Sequence, residues 1–148
     1  MEVVFFYNDE EPKMNEKLKW QVAYQVGVPE VDNQHKKLFE MLNKLQDIYE
    51  TGNDKSKIQH VLEEMGDYLN VHFSCEEIYL KNHPRIEAHR KEHWFFVEKT
   101  MKFTKDFDLN DAVFEYEILD FLKRWLINHV LNTDIVYFRE LNNHSESL

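Results

Sequence analysis

The chain has 148 residues, the length of one domain, and with 43 % hydrophobic residues it can bury a core without disulfides or other staples. A formal charge of −10, with no one-sided cluster of Lys and Arg, argues against nucleic acid or an anionic membrane as a partner. Three Gly and three Pro favour long helices over many short strands, the single cysteine (Cys75) allows no internal disulfide, and no apolar run approaches the roughly 20 residues that span a bilayer.

Residues 1–19 carry no clear period and are expected to form an N-terminal extension, turn-like and acidic from Asn8 to Pro12, with Met14 as an alternative start. The first residues bring acids where a secretory signal would carry a basic flank, so a cytoplasmic location is expected. From Trp20 through Tyr24, Val26, Val28 and Val31 the chain alternates apolar and polar, which predicts an extended arm laid over apolar surface ahead of the domain proper, residues 20–148.

The first helix is predicted to begin at Asp32, a favourable N-cap, and to stop before Thr51-Gly52-Asn53. Its inward seam reads Val31, His35, Leu38, Leu42, Leu45, Tyr49, in steps of three and four. The second helix starts after Asp54 and runs to about Lys81, with the seam Ile58, Leu62, Met65, Leu69, His72, Glu76, Tyr79. A histidine and an acid therefore stand where the pattern demands apolar groups, and burying them is costly unless they are paired or bound to metal. The third helix starts near Pro84 to Ile86, since Pro is tolerated in a first turn, and its seam is Ile86, His89, His93, Phe96, Thr100, Phe103, Phe107.

The fourth helix is predicted from about Asp108 or Asn110 to about Leu141. Leu119, Leu122, Leu126 and His129 keep the step, but the next polar member, Asp134, comes five residues on, followed by Tyr137 and Leu141. On an ideal helix a five-residue step turns a side chain by about 140° from its predecessor. One inserted residue, a π-bulge, restores the face, and a bulge is predicted between His129 and Asp134.

Short connections make consecutive helices antiparallel neighbours, giving an all-α, up-down-up-down four-helix bundle with an extended N-terminal arm. In that order His35, His72 with Glu76, His89 with His93, and His129 with Asp134 all fall at one end. Residues four apart on a helix are separated by about 40° around the axis, so each pair can grip one site. Imidazoles suit iron, zinc, copper and nickel, and a carboxylate can bridge two metals with its two oxygens. Seven donors exceed the needs of one four-coordinate zinc ion; two metals sharing Glu76 and Asp134 use them all. His60 falls about 120° off its seam, His83 lies in a turn and His144 in a polar tail, so none of the three is expected to ligate. Cys75 is expected to be an inert small residue, and Phe39, Phe73, Trp125 and Val130 are candidates for the apolar surround.

The runs Val-Asp-Asn-Gln-His35, His72-Phe-Ser-Cys-Glu76, His89-Arg-Lys-Glu-His93 and Trp-Leu-Ile-Asn-His129-Val-Leu-Asn-Thr-Asp134-Ile-Val-Tyr together resemble the bacterial hemerythrins, over about Trp20 to Leu141. The resemblance implies two iron ions, one held by His89, His93 and His129, the other by His35 and His72. Glu76 and Asp134 would bridge them together with an oxo or hydroxo group. It implies reversible dioxygen binding at the two-histidine iron, beside His35 and His72, in a non-catalytic carrier, store or delivery protein that acts as a monomer, with an oxygen-using enzyme as a candidate partner. The alternatives are an oxygen sensor acting through a partner protein, or a di-iron enzyme reducing peroxide or nitric oxide; a zinc or iron store ranks below these. Oxygen-activating di-iron bundles carry Glu-x-x-His motifs, whereas this set is rich in histidine, which favours binding over activation.

Overall fold

The computed structural model describes residues 16–109 and 116–146 of the chain. Among the described residues there are helices and no strand: a single 3-10 turn (Val22–Tyr24), then α1 (Pro29–Glu50), α2 (Lys55–Tyr79), α3 (Ile86–Leu109), α4 (Tyr116–Asn128), a π turn (His129–Asp134) and α5 (Ile135–Glu146). The last three run on as one rod, so the expected four-helix bundle stands. α1 packs against α2 and α4, α2 against α3, and α3 against α4, closing a ring of antiparallel neighbours. None of the described helices is long and apolar enough to cross a membrane.

Local chemistry sets most boundaries. α1 starts at Pro29, whose missing N–H costs nothing in a first turn, after Gly27 takes a φ of 92° that favours glycine. The predicted start at Asp32 is therefore corrected. Asp32 lies inside the first turn and reaches back, its carboxylate accepting from the amides of Val26 (2.7 Å) and Gly27 (3.3 Å). The sequence signal was that of a capping acid, and the residue does cap backbone amides, but those of the incoming arm. α2 begins as expected after Asp54, whose side chain accepts from the Lys57 amide. α3 continues through Leu109, so Asp108 lies within that helix and does not begin the next; Asn110 lies outside the described residues. α5 carries helix past the expected end near Leu141 and includes His144 in its backbone. Asn8–Pro12 and Met14 also lie outside the described residues.

The arm is extended but interrupted. Tyr24 and Val26 are buried, whereas the 3-10 turn leaves Val22 exposed. Tyr79, expected on the inward seam of α2, is partly exposed, and Leu80 fills the core position in its place. Apolar side chains gather in two clusters. The larger is built on Leu38, Leu42, Leu62, Leu69, Phe73, Phe96, Leu122 and Leu126, and the smaller on Val26, Val31, Leu80, Tyr137 and Phe138. Along every helix, the histidines and acids of the seams fall between these two clusters.

Candidate metal centre

All four rods contribute to one buried group of polar side chains. His35 comes from the second turn of α1, His72 and Glu76 from the end of α2, His89 and His93 from the start of α3, and His129 and Asp134 from the two ends of the π turn. Each of the seven is 2 % exposed or less. The π turn supplies the predicted extra residue: a wider helical turn returns Asp134 to the face that His129 occupies, and Thr133 and Asp134 are both buried.

The two carboxylates divide their oxygens between two sets of histidines. Glu76 Oε1 lies 2.8 Å from His89 Nε2 and 2.9 Å from His93 Nε2, while Oε2 lies 3.2 Å from His35 Nε2 and 3.3 Å from His72 Nε2. Asp134 repeats the division: Oδ1 is 3.0 Å from the Nε2 atoms of His89 and His129, and Oδ2 is 3.1 Å from His35 Nε2. Two donor groups result, each with its ligating atoms within 4.8 Å of one another. One is Glu76, His89, His93, His129 and Asp134; the other is His35, His72, Glu76 and Asp134.

These contacts are close but poorly satisfied as hydrogen bonds. Among the described residues, both Asp134 oxygens and His72 Nε2 are buried with no hydrogen-bond partner, and His93 Nε2 faces His129 Nε2 at 2.9 Å. The outer nitrogens explain why. His72 Nδ1 donates to Gln34 Oε1 (2.7 Å), His93 Nδ1 to Glu77 Oε2 (2.8 Å) and His129 Nδ1 to Glu92 Oε2 (3.0 Å), and Thr133 Oγ1 donates to the same Glu92 oxygen (3.2 Å). With its proton at Nδ1, each neutral ring turns an Nε2 lone pair inward. Lone pairs that approach without donors between them are the arrangement cations fill, so the residues present fit a pair of metal ions.

Without metal, protons must supply the positive charge. Burial opposes charge on both carboxyls, but the neighbouring histidines outweigh it and hold Glu76 and Asp134 below the ordinary carboxylate range. Burial likewise opposes the proton on His35, yet Asp134 and Glu76 raise it to about 9, and His129 and His89 are raised for the same reason. His72 runs the other way, lowered by its burial.

Aromatic rings wall the site. Phe73 stacks on His93 (centroids 3.8 Å apart, planes at 8°), and Trp125 is sandwiched between Phe96 (3.9 Å, 4°) and His129 (4.6 Å, 11°). Phe39 and Val130 are buried in the main core, as expected of the apolar surround. His60 is exposed beside Glu64, and Cys75 points away from the cluster, its Sγ donating to Glu30 Oε1 (2.9 Å). His83 is buried, which the sequence reading missed: it stacks on Tyr137 at 4.1 Å, and His89 of the cluster lies 4.6 Å from the same ring. Gln34, Glu77 and Glu92 were missed as well. The one available signal was their placement beside His35, Glu76 and His93 in sequence.

Comparison with known proteins agrees with this architecture. Residues 26–141 match the hemerythrin HHE cation binding domain. The chain is 34 % identical over 122 residues to a bacteriohemerythrin of Pseudomonas aeruginosa (strain LESB58), covering 81 % of this chain and 78 % of that protein. It is 34 % identical over 124 residues to a bacteriohemerythrin of Clostridium acetobutylicum, covering 80 % and 96 %. A crystal structure of wild-type hemerythrin superposes with a TM-score of 0.75 at 32 % identity, over 82 % of this chain and 95 % of that one. With the fold, the domain match and these relatives in agreement, the chain belongs to the hemerythrin family.

Proposed function

We propose that the seven clustered side chains hold two iron ions and that the protein binds dioxygen reversibly as a carrier, store or delivery protein. The observation that carries this reading is the division of the Glu76 and Asp134 oxygens between a three-histidine set and a two-histidine set. In it, His89, His93 and His129 would hold one ion and His35 and His72 the other, with Glu76 and Asp134 serving both. The two-histidine group has one protein donor fewer, so a small ligand would bind on that side. When bound, two ferrous ions supply the two electrons on which reversible dioxygen binding draws.

The chain's own residues do the rest. Gln34, Glu77 and Glu92 fix three imidazoles with their lone pairs inward. Phe73, Trp125 and Phe96 stack against ring faces and exclude water from the three-histidine side, as Trp20 and Phe39 do near His35. Binding is favoured over oxygen activation because the set is dominated by imidazoles, and no histidine of the chain has Glu three positions before it. One cysteine, unable to pair within the chain, suits a reducing cytoplasm.

The test is anaerobic reduction of the iron-loaded protein followed by cycles of air and vacuum under visible absorbance. Charge-transfer bands that grow in air and vanish under vacuum over repeated cycles are expected. Irreversible bleaching would overturn the carrier reading, and rapid turnover of peroxide or nitric oxide would replace it with an enzyme. His35→Ala is expected to lower iron from two per chain to one, and unchanged content would refute the assignment of His35.

A further inference from the structure

The histidines of the cluster do not rest on equal supports. Two carboxylates, Glu77 and Glu92, accept the outer N–H groups of His93 and His129 on the three-histidine side. On the two-histidine side, His72 is backed by the neutral amide of Gln34, and His35 Nδ1, like His89 Nδ1 on the other side, has no hydrogen-bond partner among the described residues. A carboxylate acceptor draws the imidazole proton outward, making the inner nitrogen a stronger donor and bringing negative charge near the ion. An amide does this far less.

Gln34 is half-buried beside Cys75, whose Sγ donates to Glu30 Oε1 at 2.9 Å, while Tyr79 Oη donates to the second Glu30 oxygen at 3.1 Å.

We propose that Gln34 is a positioning residue which, by backing His72 with a neutral acceptor, keeps the two-histidine ion less electron-rich than its neighbour and slow to oxidise in air. This rests on the di-iron reading above. The metal-charged wild-type protein separates the two: failure to take up two irons would sink the di-iron reading itself, whereas a loaded wild type leaves the Gln34 variants as a test of Gln34 alone.

The experiment uses the full chain as Gln34→Leu and Gln34→Glu. Each is dialysed against an iron chelator at a concentration where wild type keeps both ions, then assayed for iron content, midpoint potential and rate of oxidation in air. Gln34→Leu leaves the buried His72 N–H without an acceptor, so affinity on that side is expected to fall about 10 to 100-fold, leaving one iron per chain. Gln34→Glu restores an acceptor and is expected to keep both irons, while its added charge lowers the midpoint potential and speeds air oxidation about tenfold. The proposal is overturned if Gln34→Leu retains both irons or loses both, the latter being the mark of a general folding defect. It is equally overturned if Gln34→Glu loses iron or shows the potential and oxidation rate of wild type.

Discussion

Side by side in an apolar bundle, Glu76 and Asp134 hold their negative charge only because positive charge comes with it, from protons when metal is removed. His35 is the measurable case. Its folded value of about 9 lies above the ordinary 6.5, against the pull of burial, because Asp134 and Glu76 hold its proton. A group raised in this way stabilises the fold fully below 6.5 and loses that contribution as pH climbs through 9. The metal-free protein is therefore expected to lose urea resistance between pH 6.5 and 9, measured by circular dichroism; a flat or rising profile would refute this. Iron uptake in the same window should release protons and tighten with pH, read with an indicator dye. Cys75 behaves oppositely to a reactive thiol: burial first, then the Glu30 carboxylate, push it up to about 11. Alkylation by iodoacetamide at neutral pH is expected to be slower than that of free glutathione, and to accelerate only toward pH 11. The seven clustered residues were legible because each interrupts a row of apolar positions. Gln34, Glu77 and Glu92 were not, because they stand on half-exposed flanks where polar residues are ordinary and only the packed rotamer shows which ring each one meets.

The helix carrying His129 and Asp134 shows how one residue of spacing becomes geometry. Five positions separate them, and the π turn His129–Asp134 absorbs the surplus. This was legible since a helical period that breaks by one and then resumes leaves few other solutions. Less legible were the ends: Asp32 looks like a cap and caps a different segment, and nothing at Asp108 marks a stop, so α3 runs through it. Deletion of the exposed Asn132 should convert the π turn to regular helix, leaving His129 and the acid four apart and about 40° from each other. Two irons per chain are expected to survive this deletion. Insertion of one Ala after Asn132 should instead rotate Asp134, Tyr137 and Phe138 by about 100° and abolish iron binding along with the smaller apolar cluster. Iron content and thermal melting of the pair decide it: equal behaviour of deletion and insertion would mean that the face of Asp134 is not what the π turn sets.

Antiparallel order puts the donors of all four rods at one end of the bundle, and the N-terminal arm packs along the bundle toward them. Leu18 is buried and exchanges hydrogen bonds with Asn43, its amide donating to Oδ1 at 2.7 Å and its carbonyl accepting from Nδ2 at 2.8 Å. Lys123, fully buried in α4, donates to the Glu16 carbonyl at 2.8 Å and to Gln46. Further along, Trp20, Tyr24 and Phe39 form a mutually edge-on trio, and the Trp20 ring lies 6.4 Å from His35. The alternating pattern pointed to an arm on apolar surface; its anchors at Glu16 and Leu18 were hidden because they use backbone groups, which no side-chain pattern reports. Two roles for the arm separate by substitution. Leu18→Ala removes buried methyls well away from the histidines and is expected to cost about 2 to 5 kcal/mol of stability with little change in iron retention. Trp20→Ala removes the ring beside His35, should cost about 2 kcal/mol from lost apolar burial, and is expected to release the two-histidine iron to a chelator several times faster. If the arm shields the site, iron loss follows position and not stability, so the milder destabilisation carries the larger loss. If the arm only holds the bundle together, Leu18→Ala will shed iron faster than Trp20→Ala, and the shielding role fails.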